Sequence, residues 1–182
     1  MPGDPLAKPE EVLQRLYGYV AYRIGSGPNA EDIVSETIER ALRYRDSYDE
    51  RKGSPTAWLA TIASHLIADQ ARASRAAQQI EPELRHAAED FTERTVRELD
   101  LHEAMAFLDD RSRELLALRY GADLRAQDIA RLLGQRTNTI EVALHRAISR
   151  LREILDHRPP ASGTVHNDRT RQAAPGRSSR AK

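Results

Sequence analysis

The chain has 182 residues, 40% hydrophobic and 31% charged, which bounds it to one or two small soluble domains rich in exposed helix. It has no cysteine, so disulfides, thiolate metal sites and thiol catalysis are excluded. No apolar run is long enough to span a bilayer, and the start MPGDPLAKPEEVL lacks the pattern of a secretory signal, so the expectation is a cytoplasmic protein with no membrane insertion.

The 28 basic and 28 acidic side chains cancel, but they are unevenly spread. Residues 78–103 hold eight acidic groups against three basic ones, and residues 124–152 hold six arginines against Asp128 and Glu141. From Arg158 onward there are six basic residues and only Asp168. Phosphate binding needs a local positive field, not a positive protein.

In chain order, Leu13, Leu16, Tyr17, Val20 and Ile24 fall at helical spacing between Pro9 and Gly25. A second helix is expected after Asn29 as its cap, with Val34, Thr37, Ile38, Ala41 and Leu42 as its buried stripe. The polar stretch RYRDSYDERKG follows. Ser54 and Pro55 then open a third helix, with Leu59, Ile62, Ala63 and Leu66 on one face. Residues 9–74 therefore form a first helical domain. Residues 75–99 read as an acidic linker with only partial helix, because no apolar stripe runs through QQIEPELRHAAEDFTERTV. Helices near 100–107, 110–119, 126–133 and 137–155 make a second domain over residues 100–157. The basic tail 158–182 is too poor in apolar residues to fold. No strand pattern competes, so the fold class is all-α.

The stretch AQDIARLLGQRTNTIEVALHRAI is the most informative part of the second domain. Ile129, Ala130, Leu132 and Leu133 form the apolar side of a short helix, Gly134 suits a tight turn, and Thr137 is a candidate cap. Ile140, Leu144, Ala147, Ile148 and Leu151 share one face of the next helix, while Asn138, Glu141, Val142, His145, Arg146, Ser149 and Arg152 lie opposite. A helix-turn-helix has this arrangement, and its second helix presents its early residues to base edges in the major groove. Arg125, Arg146 and Arg150 are placed for phosphates, which position a protein without reading sequence. An ordinary helical hairpin fits the hydrophobic pattern equally well, and Glu141 in the exposed arc opposes phosphate attraction.

The first domain discriminates between them. NAEDIVSETIERALRYRDSY followed by GSPTAWLATIASHLIADQAR resembles region two of the extracytoplasmic-function sigma factors of bacterial RNA polymerase. The matching residues are Ala30, Glu31, Asp32, Ile33 and Val34, then Trp58, Leu59, Ile62, Ala63, Asp69 and Arg72. Residues 108–155, LDDRSRELLALRYGADLRAQDIARLLGQRTNTIEVALHRAISRLREIL, resemble region four of the same family. The two resemblances stand in the family's order and together cover about residues 10–155.

The resemblance implies a non-catalytic subunit that directs core RNA polymerase to promoters. It assigns contact with the polymerase clamp helices to Asp32, Ile33, Ser35, Glu36, Glu39 and Arg40, with Ser35 where the family usually has glutamine. It assigns opening of the −10 element to the loop carrying Arg43, Tyr44, Arg45, Tyr48, Arg51 and Lys52, with His65 and Arg72 from the next helix. An unstacked base needs a pocket, and a displaced strand needs cations. Thr61 and Ser64 stand where arginine is common and His65 where asparagine is common, which puts strong melting in doubt. Trp58 reads as core. The resemblance further assigns reading of the −35 element to Arg136, Thr137, Asn138, Thr139, Glu141, Val142 and His145, with Arg146 and Arg150 toward phosphates. Glu141 and Ala143 replace frequent cations; Glu141 either lowers affinity or accepts from a cytosine amino group. The acidic linker is either a nucleic-acid mimic inside the polymerase channel or a plain tether. The polymerase flap, promoter DNA and an anti-sigma protein are the further partners the family implies.

Three other readings fit less of the sequence. An enzyme would need metal-ligand or triad spacing among the six histidines and the carboxylates, or a glycine-rich phosphate loop, and the sequence has none of these; no metal or cofactor is expected. A stand-alone helix-turn-helix regulator would need only the second domain and leaves the Trp58 helix without a reason. A divergent relative that binds polymerase yet melts promoters poorly is the third possibility.

Overall fold

The computed structural model of the chain describes residues 4–80 and 96–156, and these are helical with no strand among them. Most of the acidic linker and the whole basic tail lie outside the described residues. α1 (Pro9–Ile24), α2 (Pro28–Arg43) and α3 (Pro55–Ile80) form an N-terminal group. α4 (Val96–Ala106), α5 (Asp110–Leu116), a π turn (Ala117–Gly121), α6 (Ala126–Leu132) and α7 (Thr137–Asp156) form a C-terminal group.

Each helix of the first group opens on a proline, whose fixed φ suits a first turn and whose missing N–H would have been unpaired there. That choice corrects the expected start of α2: Gly27 precedes the helix, and Asn29 lies inside it, accepting from the Gln70 side chain instead of capping. Ser54 does act ahead of α3, where its hydroxyl accepts from the Ala57 N–H at 3.3 Å. Two apolar positions also depart from the expected stripes. Leu42 and Leu13 are exposed, while Ile33 and Val12 take their places in the core.

Helix extends into the expected linker from both sides, with α3 running on to Ile80 and α4 beginning at Val96. Residues 71–79, ARASRAAQQ, carry no stripe, but they are mostly strong helix formers with no Gly or Pro, so a helix already begun propagates. The helix expected over 110–119 instead loosens at Ala117, where the Ala122 N–H donates to the Ala117 carbonyl five residues back. Asp109 starts α5 by accepting from the backbone N–H of Ser112 at 2.9 Å and its hydroxyl at 2.6 Å. Those bonds hold the Asp109 carboxyl below the usual carboxylate range. Arg113 ties α4 to α5 by donating to the carbonyls of Met105 and Ala106 at the end of α4 and of Leu108 just beyond it.

The core runs unbroken through both groups. Leu16, Tyr19 and Val20 of α1 belong to one buried cluster with Leu59 and Ala63 of α3, Leu115 and Leu118 of the second group, and Ile129 and Ile140 of the helix pair. Side chains of this size each stabilise by about 1.5–3 kcal/mol when fully buried. α1 is therefore shared: it packs on α2 and α3 and equally on α5 and the π turn.

Candidate functional site

The C-terminal helix pair is built as the hydrophobic pattern requires. Ile129 and Ala130 of α6 pack with Ile140, Leu144 and Ala147 of α7, all buried. Gly134 takes φ 63° in the turn between them, a left-handed conformation that a side chain disfavours. Leu133 is part-exposed at this corner instead of buried with its neighbours. Thr137 is the first residue of α7, not a cap ahead of it; the Arg136 carbonyl accepts the first bond, from Ile140.

The opposite face of α7 is open. Arg136, Asn138, Thr139, Glu141, Val142, His145, Arg146 and Arg150 are exposed, and Thr137 is half-buried. The side chains of Arg136 and Arg146 make no hydrogen bond or ion pair among the described residues, whereas Arg150 pairs with Glu153 at 3.0 Å. Beside this face lies a groove of about 350 Å³ bordered by Arg119, Tyr120, Arg125, Glu141 and His145. Glu141 therefore shares its surroundings with two guanidinium groups, which offsets the charge that the sequence set against phosphate attraction. Arg119 lies 5.9 Å from the centre of the exposed Tyr120 ring and donates to the Leu124 carbonyl at 3.0 Å. Sequence reasoning missed Arg119 and Tyr120, which precede the recognisable helix pair and reach the groove through the π turn.

In the N-terminal group, Asp32, Ser35, Glu36 and Glu39 stand exposed along α2, giving an acidic face. Arg40 is half-buried and donates to Glu36 at 2.7 Å. Ile33 does not belong to that face. It is a core residue, and its carbonyl accepts from the buried Thr37 hydroxyl at 2.6 Å.

The loop between α2 and α3 divides its aromatics. Tyr44 is 56% exposed. Tyr48 is buried, with its ring 5.4 Å from Trp58 and its hydroxyl donating to the Gly53 carbonyl at 3.1 Å. Burial pushes its hydroxyl pKa up. Tyr48 thus shapes the loop from beneath and is withdrawn from any base-stacking surface. Arg43 and His65 are exposed with no side-chain partner among the described residues, and Lys52 is exposed near Asp49, whose carboxyl its charge helps to hold down. The other cations are engaged: Arg45 with Asp4, Arg72 with Asp69, and Arg51 with both carboxylate oxygens of Asp49 at 3.0 and 3.1 Å. Thr61 and Ser64 turn their hydroxyls onto the α3 backbone, donating to the carbonyls of Ala57 and Thr61.

A third cluster lies between the two groups, and no sequence pattern announces it. The Tyr19 hydroxyl donates to both carboxylate oxygens of Glu114, at 2.9 and 3.0 Å. Arg23 Nε lies 2.9 Å from the same carboxylate, yet its N–H is not aligned for a hydrogen bond. Burial raises the Glu114 carboxyl pKa, and the Arg23 charge works against that rise. Tyr19 is pushed well above the ordinary phenol range, by burial first and the Glu114 charge second.

A two-domain, helix-turn-helix-bearing nucleic-acid binder is the class that this architecture defines. Residues 10–77 match the family described as Sigma-70 region 2, and residues 98–151 match Sigma-70, region 4. Similar curated proteins are ECF RNA polymerase sigma factor SigD of Mycobacterium bovis, 33% identical over 79% of this chain and 73% of the relative, and BldN of Streptomyces coelicolor, 30% identical over 80% of this chain. The chain spans 58% of the length of BldN. A solved structure of the sigma factor RpoE in complex with the anti-sigma factor NepR, from Bartonella quintana, aligns over 80% of this chain and 92% of RpoE with a TM-score of 0.64 at 25% identity. The chain belongs to the ECF sigma factors of the sigma-70 family, which are transcription initiation factors and not enzymes. No helix among the described residues is long and apolar enough to cross a membrane.

Proposed function

We propose that this sigma factor binds core RNA polymerase through the acidic face of α2, reads a −35 element with α7 and opens a −10 element with the α2–α3 loop and α3. The observation that carries the reading is the pairing of opposite surfaces on one chain. Asp32, Glu36 and Glu39 are exposed on α2, while Arg136 and Arg146 are exposed and unpaired on α7. Acidic groups suit a basic protein partner, and unpaired guanidinium groups suit phosphates. Asn138, Thr139, Val142 and His145 occupy the outward arc of the first turns of α7, where a major-groove helix meets base edges. In the N-terminal group, Arg43, Tyr44, Lys52 and His65 are the open side chains suited to a displaced strand. An anti-sigma protein is a further partner, by analogy with the RpoE–NepR complex.

Thr61 and Ser64 favour a second reading alongside the first, in which the protein recruits polymerase but melts promoters weakly. Both hydroxyls are spent on the α3 backbone and supply no cation to a displaced strand.

Run-off transcription with purified core polymerase on fragmented bacterial genomic DNA tests both. Discrete start sites that depend on this protein and disappear in the Asp32→Lys, Glu36→Lys double variant are expected. Replacing attraction by repulsion at two positions costs several kcal/mol, about a hundredfold or more in core affinity. Core binding without new transcripts would select the weak-melting reading, and DNA binding without core binding would sink both.

A further inference from the structure

A cavity of about 350 Å³ opens where α1, α3 and α5 meet, apart from the groove beside α7. The α3 sequence accounts for its shape. Ala68, Ala71, Arg72 and Arg75 share one helix face at steps of three, one and three, so two small side chains leave a hollow and two long cations border it. Ile24 of α1 and the buried Ile67 complete an apolar wall. Arg23 of α1, with Asp110 and Arg113 of α5, lines the remaining side.

Guanidinium groups from three helices converge here, and the nearby carboxylates do not match them. Asp110 stands 3.8 Å from Arg23 and 3.4 Å from Arg113, both loose contacts. Glu114 holds Arg23 more closely, at 2.9 Å, and Asp69 pairs with Arg72 across one exposed turn of α3. The side chain of Arg75 is exposed and makes no hydrogen bond or ion pair among the described residues.

The four cations divide by role. Arg23 is fixed by Glu114, and Arg113 by the carbonyls of Met105, Ala106 and Leu108. Neutral carbonyls leave the Arg113 charge in place, so this pair sets a field and has few donors to spare. Arg72 and Arg75 at the rim have donors to give. An exposed pair within one helix turn contributes little to stability, so Arg72 exchanges Asp69 readily for a stronger acceptor. Phosphate is that acceptor, because its oxygens take paired N–H bonds from the planar guanidinium fork. The apolar wall, for its part, suits a flat ring, and the volume is that of a small-molecule site.

We propose that this cavity binds a nucleoside diphosphate, with its phosphates on Arg72 and Arg75 in the field of Arg23 and Arg113, and its base against Ile24, Ile67 and the two alanines. Only Arg72 is shared with the surfaces assigned to DNA, so it stays unchanged in the test.

Isothermal titration calorimetry of the full chain with ADP and GDP, in about 0.15 M salt, is that test. Binding of at least one is expected, with a rise in melting temperature of at least about 5 °C at a hundredfold excess over Kd. Inorganic pyrophosphate, which lacks the part that meets the apolar wall, is expected to bind at least about tenfold more weakly. Adenosine, which lacks the phosphates, is expected to give no heat. Arg75→Glu reverses an unpaired, exposed charge and is expected to weaken nucleotide binding at least about tenfold. Ala71→Phe fills the hollow without touching a charge and is expected to abolish binding. Should Ala71→Phe lose helical circular dichroism, Ala68→Leu fills the same hollow from an exposed position.

Neither heat nor thermal shift with ADP and GDP up to about 1 mM overturns the site. Binding that survives both Arg75→Glu and a filled hollow does the same. Binding lost instead in the Arg136→Ala, Arg146→Ala variant would move the anion to α7, against the proposal. Adenosine or pyrophosphate as tight as the diphosphate overturns the two-part ligand. A duplex oligonucleotide that displaces the nucleotide from that α7 variant would hand the cavity to the DNA backbone and overturn the small-molecule assignment.

Discussion

The two surfaces assigned to DNA are both rich in arginine, yet they present it differently. On α7 and its groove, Arg136, Arg146 and Arg125 stand without a carboxylate partner among the described residues. In the N-terminal group, Arg45, Arg51 and Arg72 each hold a nearby Asp. A paired guanidinium contributes little field beyond a few ångströms, and it must give up its partner before it meets a phosphate. On the proposed reading, the C-terminal surface binds duplex DNA directly. On that reading the N-terminal surface, with Arg43 open but Arg45, Arg51 and Arg72 paired, depends on being brought to the strand by polymerase.

The largest break in this contrast is expected from Arg136→Ala combined with Arg146→Ala. Loss of two phosphate neutralisations should weaken binding of a −35 duplex more than about tenfold at low salt and flatten the log–log salt dependence by about 1.8. Fluorescence anisotropy over a salt series measures both, and an unchanged slope would remove these residues from the phosphate contacts. A smaller effect in the opposite direction should follow from Asp49→Asn, which releases Arg51. Binding of a single-stranded −10 oligonucleotide to the sigma–core complex should tighten about two- to threefold, with the salt slope steeper by about 0.7. The same release is expected with acid. Bonds from Arg51 lower the Asp49 carboxyl pKa, so the pair is intact above the ordinary Asp range and is lost only as pH falls through the depressed value. The smallest effect belongs to Arg51→Ala, which should change that affinity by less than about twofold while Asp49 is present. A tenfold loss there would show that Arg51 reaches DNA despite its partner, and the contrast would fail.

Legibility in the sequence followed the same division. Periodicity found α1 and α3 and the α6–turn–α7 pair to within a few residues, because an apolar stripe and a capping or proline signal coincide there. It erred where propensity acted without a stripe, at the end of α3, and where one residue's rotation decides burial, as with Leu42 against Ile33. Ionic pairing was illegible for a different reason: Asp4 reaches Arg45 across forty residues. Tyr48 could not be placed until its ring met Trp58, since a tyrosine on a polar loop reads equally as a stacking platform and as a plug. The contact of Gly18 with Gly121, where a methyl group on either would sit 2.5 Å from the other's carbonyl oxygen, left no trace. Nothing in a helical pattern distinguishes a glycine that touches another backbone from one that merely weakens its helix.

The division of α1 between the two groups also bears on how the chain is made. Tyr19 and Glu114 are 95 residues apart, so half of the surface that covers α1 is synthesised long after α1 itself. At about 5–20 residues per second, that separation is a delay of roughly 5–20 s. During it the N-terminal group can form against α2 and α3, but the face of α1 around Tyr19 stays open to other chains. Completion of the contact between the two groups is therefore a timed event, delayed until the second half of the chain has been made.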